Sequence, residues 1–133
     1  MQDFKHIQAW RRAHALGIAL HRATRNYARR GFSHLRTQLT KAADSIAATI
    51  VEGCGADSNK EFARFLDMSI KSANETEHHL LTAKDHGLMS PDAWQRFTAE
   101  TIEVRKMTYG YRRSVLKNDS KTQKAPKKRA PDA

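Results

Sequence analysis

A single cysteine, Cys54, stands among 133 residues. No intramolecular disulfide can form, and no cysteine-rich zinc module is encoded. Prolines number three and glycines six, so the chain has few places to turn sharply. Long apolar runs are also missing. The N-terminal "MQDFKHIQAWRRAH" is charged throughout, so neither a secretory leader nor a membrane span is expected, and a cytoplasmic protein is. Nowhere do apolar and polar residues alternate strictly, which removes the strand signature. One domain of ordinary size remains, rich in Ala, Leu, Arg and Lys, the composition of an all-helical protein.

What the chain does hold is positive charge, unevenly placed. Residues 1–52 carry nine Lys/Arg against three Asp/Glu, a balance of +6. Residues 53–116 carry nine of each, and residues 117–133 carry six against two, so the net +10 resides in the first part and the end. Such a distribution points to a polyanionic partner.

Apolar positions recur in steps of three and four. The first stripe is Phe4, Ile7, Trp10, Ala13, Leu16, Leu20, Thr24 and Tyr27; the second is Leu35, Leu39, Ala42, Ile46, Ile50 and Cys54. Phe62, Phe65, Ser69, Ala73, Thr76, Leu80 and Ala83 make the third, and Trp94, Phe97, Thr101, Val104, Thr108, Tyr111 and Val115 the fourth. Gly31 stops the first helix and Ser33 is expected to cap the second. "GCGADS" ends the second, with Ser58 and Glu61 as a capping box for the third. After Gly87, Ser90-Pro91-Asp92 opens the fourth. Short links between long helices predict an antiparallel, up-down-up-down four-helix bundle over residues 1–116. Residues 117–133 hold no apolar residue larger than alanine and read as a disordered basic tail.

Few residues suggest chemistry. Gly53 and Gly55 bracket Cys54, but neither the spacing of a P-loop nor a third glycine of a dinucleotide fingerprint is present. Cys54 falls on the apolar stripe and reads as a small buried hydrophobe. Glu75 and His78 have the i, i+3 spacing of di-iron bundles, yet no second Glu-x-x-His exists. No catalytic residue, metal site or cofactor is expected, and the chain does not read as an enzyme.

The basic residues of the first helix fare better. At ~100° per residue, Arg11, Arg22, Arg25 and Arg29 are expected within about 60° of one another, opposite Leu16 and Leu20. Arg12, Arg30, Arg36 and Lys41 flank this patch, and Lys121, Lys124, Lys127, Lys128 and Arg129 add contacts from the tail. Guanidiniums along one helix face suit a phosphate backbone. Nothing encodes base readout or an exposed aromatic platform, so binding is expected to be sequence-tolerant, with RNA favoured through shape. The alternative from another class is a protein-interaction accessory subunit that does not itself touch nucleic acid.

"FKHIQAWRRAHALGIALH", "LRTQLTKAADSIAATIVEGCG" and "SNKEFARFLDMSIKSANETEHHLLTAKDHGLM" together resemble a bacterial four-helix-bundle family encoded in intervening sequences of large-subunit ribosomal RNA genes. The resemblance runs over about residues 3–115. Family members usually have Pro at position 47, Asn at 49 and an aromatic at 54, where this chain has Ala47, Thr49 and Cys54. The family is similar in fold to accessory variability determinants of diversity-generating retroelements. The resemblance implies a homopentamer, a non-enzymatic role and, by way of those relatives, binding to nucleic acid and to a reverse transcriptase.

Overall fold

A computed structural model describes residues 3–127, with side chains over residues 3–118. A 3-10 turn at Phe4–His6 leads into α1 (Gln8–Ala23), followed by α2 (Ser33–Cys54), α3 (Asn59–Asp85) and α4 (Pro91–Lys127). No strand occurs among the described residues. Each helix packs on its neighbours in sequence, and α1 against α4 closes the ring. Cross-helix contacts show the antiparallel order: on α2 and α3, Ser45 meets Ser72 while Thr49 meets Ser69. On α3 and α4, Glu77 meets Arg105 while Asp67 meets Arg112.

The stripes of three and four become the core. Leu16, Leu20, Leu39, Ile46, Leu80 and Val104 form one buried cluster, while Ile7, Ile50, Cys54, Phe62, Leu66 and Val115 form a second towards the α2–α3 corner. Burial of each large aliphatic contributes about 1.5–3 kcal/mol. Threonines also occupy the stripe, and they stay buried because each hydroxyl donates to the carbonyl four residues back. Thr24 reaches Leu20 O at 2.7 Å, and Thr76, Thr101 and Thr108 reach Ser72, Phe97 and Val104 at 2.8 Å each. Their methyl groups are left to pack, so threonine serves here as a core residue.

Both left-handed glycines end helical stretches in the same way. At Gly31 (φ +88°), Phe32 N–H donates to Tyr27 O at 2.8 Å and Gly31 N–H to Ala28 O at 3.1 Å. At Gly87 (φ +73°), Leu88 N–H donates to Ala83 O and Gly87 N–H to Lys84 O, both at 2.9 Å. This is the Schellman arrangement, and a side chain at either glycine would be strained. Ser58 Oγ accepts from Glu61 N–H and Ser90 Oγ from Ala93 N–H, both at 3.1 Å, so these two residues cap α3 and α4 as expected.

Three local expectations are corrected. Ser33 does not cap α2: it is the first helical residue, Phe32 holds the cap position, and no side chain caps that end. The first helix is also shorter than its stripe. It starts after an extended Ile7 and ends at Ala23, with turns over residues 24–31. The cause is tertiary. Arg36 of α2 donates to Thr24 Oγ1 and to His21 O, both at 3.2 Å, taking up a carbonyl of α1's final turn. Among the residues of α4 with described side chains, the last buried one is Val115. The helix runs on to Lys127, past the expected boundary at 117, so residues 117–127 are helical and not the start of a disordered tail.

Candidate nucleic-acid interface

The structure sorts the predicted cations into two kinds. Arg11 and Arg22 are exposed on α1, about 20° apart on the helical wheel. Arg11 gives its Nε to Lys5 O at 3.0 Å, which leaves both terminal nitrogens facing water. Arg25 and Arg29 are exposed too, but they belong to the 24–31 turns, so the expected four-arginine face of one helix is not formed. α1 supplies two of the four, and the turn carries the others past its end. Lys41 is exposed on α2.

Arg12, Arg30 and Arg36 are occupied elsewhere. Arg12, half-buried, makes a two-pronged pair with Glu100 of α4 at 2.6 and 3.0 Å. That hydrogen bond, above all, raises the guanidinium pKa further. Arg36 closes the end of α1. Arg30 reaches the carbonyls of Gly87 and Leu88 at 3.4 and 3.5 Å, joining the α1–α2 turn to the α3–α4 turn. Arg12 and Arg36 are part-buried and held by these contacts, whereas Arg30 is exposed and its carbonyl contacts leave its charge without an acidic partner among the described residues. Lys121, Lys124 and Lys127 lie in the last stretch of α4, and their side chains fall outside the described residues, as do Lys128 and Arg129 altogether.

Sequence reasoning missed a second basic face. The middle segment has zero net charge, yet four of its nine acids are committed to arginine partners. Glu77 pairs with Arg105 at 2.6 Å, Asp67 with Arg112 at 2.7 Å, and Glu61 with Arg64 at 3.3 Å, while Glu100 neutralises Arg12. Lys106, Arg113 and Lys117 remain exposed on α4. Their spacing places them within about 40° along about 17 Å of helix. None of the three forms an ion pair among the described residues. Tyr109, 46% exposed, projects beside them, so an exposed aromatic does exist. The i, i+3, i+7, i+11 series from Lys106 was visible in the sequence; the pairing that uncovers it was not.

The other candidate chemistry resolves into structure. Cys54 is buried, and burial pushes its thiol above the ordinary value, as does nearby Asp3. Glu75 approaches His79 at 3.7 Å instead of pairing with His78. Among the described residues no group of three or more His, Cys, Asp or Glu side chains could hold a metal ion. No helix there is long and apolar enough to cross a membrane.

A model of the 23S rRNA-intervening sequence protein family matches residues 5–110. Among solved structures the chain is similar to a protein of unknown function from the S23 ribosomal protein family of Bacteroides thetaiotaomicron VPI-5482. The TM-score is 0.73 at 18% identity, over 78% of this chain and 97% of that one. At that identity the likeness concerns the fold. None of the curated proteins matches the chain.

Proposed function

Because this chain belongs to the 23S rRNA-intervening sequence protein family, we propose that it is a non-enzymatic scaffold that binds RNA through its phosphate backbone. The observation that carries this reading is the set of exposed cations with no acidic partner among the described residues: Arg11, Arg22, Arg25, Arg29 and Lys41, with Lys106, Arg113 and Lys117 on α4. Contacts of this kind neutralise phosphates without reading bases, so the binding is sequence-tolerant and weakens steeply with salt. Duplex DNA presents the same phosphates and is bound less well where A-form shape contributes. Affinity for structured RNA and for duplex DNA, measured across a salt series, tests the reading. The variant with Arg11, Arg22, Arg25 and Arg29 replaced by Gln should lose most of its affinity for both. Affinity unchanged in that variant would sink the proposal.

The scaffold self-associates in this reading, as the homopentamer that the family resemblance implies. Support comes from an apolar groove of about 430 Å³ between α1 and α2, lined by Trp10, His14, Gly17, Ile18, Ala47 and Ala48. Ile18 is 41% exposed there. The same groove favours the second reading, an accessory subunit that docks on a protein such as a reverse transcriptase. A complex with that enzyme that forms from purified components and survives nuclease would favour it.

A further inference from the structure

We infer that the cavity between the start of α2 and the end of α3 is a pocket for an unpaired nucleobase. Four of the seven histidines line this one space of about 350 Å³: His34 from α2, His78 and His79 from α3, and His86 at the α3 cap. Phe32 and Gln38 also line it. His34 and Gln38 stand one helical turn apart on the same face of α2, and His86, at the C-cap of α3, follows His79 by seven residues. The rings are already in contact with one another. Phe32 and His86 lie 5.0 Å apart at 51°, and His78 and His79 lie 5.1 Å apart at 56°.

The donor set distinguishes among possible ligands. Metal binding needs imidazole nitrogens aimed at one point, and no such convergence is found among the described residues. A phosphate needs fixed positive charge inside the cavity. Burial first, and then the neighbouring His78 and His34, keep the His79 imidazole deprotonated more readily than usual, against the opposing pull of Glu75. No lysine or arginine lines the cavity; Arg30, next to it in sequence, lies outside the lining and reaches the Gly87 and Leu88 carbonyls. What the cavity offers is flat π-surface, together with an amide edge from Gln38, which forms no hydrogen bond among the described residues. Bases stack on histidine and phenylalanine rings, and a side-chain amide can both donate to and accept from a base edge. The cavity also has the volume of a small-ligand site.

Its position adds a route for the strand. The 24–31 turn that presents Arg25 and Arg29 leads directly into Phe32 at the pocket. A base held among the histidines would therefore have its flanking phosphates beside the turn arginines. This inference rests on the nucleic-acid reading and gives it a preference for single-stranded or looped RNA with a base to extrude.

Histidine ring resonances of the full chain, titrated with each of the four nucleoside 5′-monophosphates and with ribose 5-phosphate, test the pocket directly. At least one nucleotide should shift His34, His79 and His86, and ribose 5-phosphate should not. In parallel, a single-stranded RNA and an abasic strand of the same length are compared on the native chain and on Gln38→Ala and His34→Ala. The base-bearing strand should bind the variants at least about 5-fold more weakly, as the loss of one stacked base would give, and the abasic strand should be unaffected. No nucleotide-specific shift in the unaltered protein overturns the pocket. If the abasic strand still binds and responds to loss of the arginines, the backbone reading stands without it.

Discussion

Arg11 and Arg12 are neighbours in sequence with opposite roles. Arg12 joins α1 to α4 through Glu100, whereas Arg11 keeps its terminal nitrogens in water. Arg12→Ala should lower stability by about 1 kcal/mol, the upper end for a partly exposed pair, read as a fall of about 4 °C in Tm. Arg11→Gln should leave Tm unchanged and weaken RNA binding. Tyr27 offers a test of the opposite sign. Its ring is 1% exposed and its hydroxyl has no hydrogen-bond partner among the described residues. Tyr27→Phe removes an unsatisfied buried group and should stabilise by about 1 kcal/mol in chemical denaturation. His79 gives a pH signature. Burial holds its imidazole below the ordinary 6.5, so the unfolded chain takes up a proton that the fold resists. Stability contributed by this group is full above 6.5 and is lost as the pH falls through the lower folded value. Between about pH 7.5 and about 5, Tm should fall less in His79→Gln than in the native chain.

At the scale of elements, helix identity was legible because three-and-four spacing is a local property of the sequence. Ser58 and Ser90 were legible as caps for the same reason: their partners, Glu61 and Ala93, lie three residues on. The end of α1 was not legible. The stripe continues to Tyr27, and what closes the helix at Ala23 is an arginine of the next helix. The α4 cations were hidden in a related way. Arg12 and Glu100 lie 88 residues apart, and no local pattern tells which acids will be consumed across the bundle. Gly53 illustrates the limit from the packing side. It reads as one of two glycines at a helix stop, yet it lies inside α2, where an added Cβ would stand 2.6 Å from Phe62 Cδ1. Gly53→Ala should therefore cost about 1–3 kcal/mol through overpacking, a larger loss than at Gly55, where the nearest atom is 3.6 Å away. Urea unfolding of the two variants compares them.

For the whole molecule, charge and assembly set the expected behaviour. Replacing Arg11, Arg22, Arg25 and Arg29 by Gln should reduce the slope of log affinity against log salt by about 3 for a single strand, if each contacts one phosphate. Light scattering of the native chain should give five times the monomer mass, and Ile18→Arg should reduce it by placing charge in the α1–α2 groove. A monomeric native chain would remove the assembly from the proposal while leaving the arginine test intact.

The bridge from Arg30 to Gly87 and Leu88 has a consequence in time. It spans 57 and 58 residues of sequence, so it can close only once α2 and α3 have packed against each other. We expect it to form after the rate-limiting step of folding, since it joins two turns by long contacts of 3.4 and 3.5 Å. Arg30→Ala should leave the refolding rate nearly unchanged and make unfolding faster. On this view Arg30 acts as a latch on the lifetime of the bundle, setting how often its turn end opens.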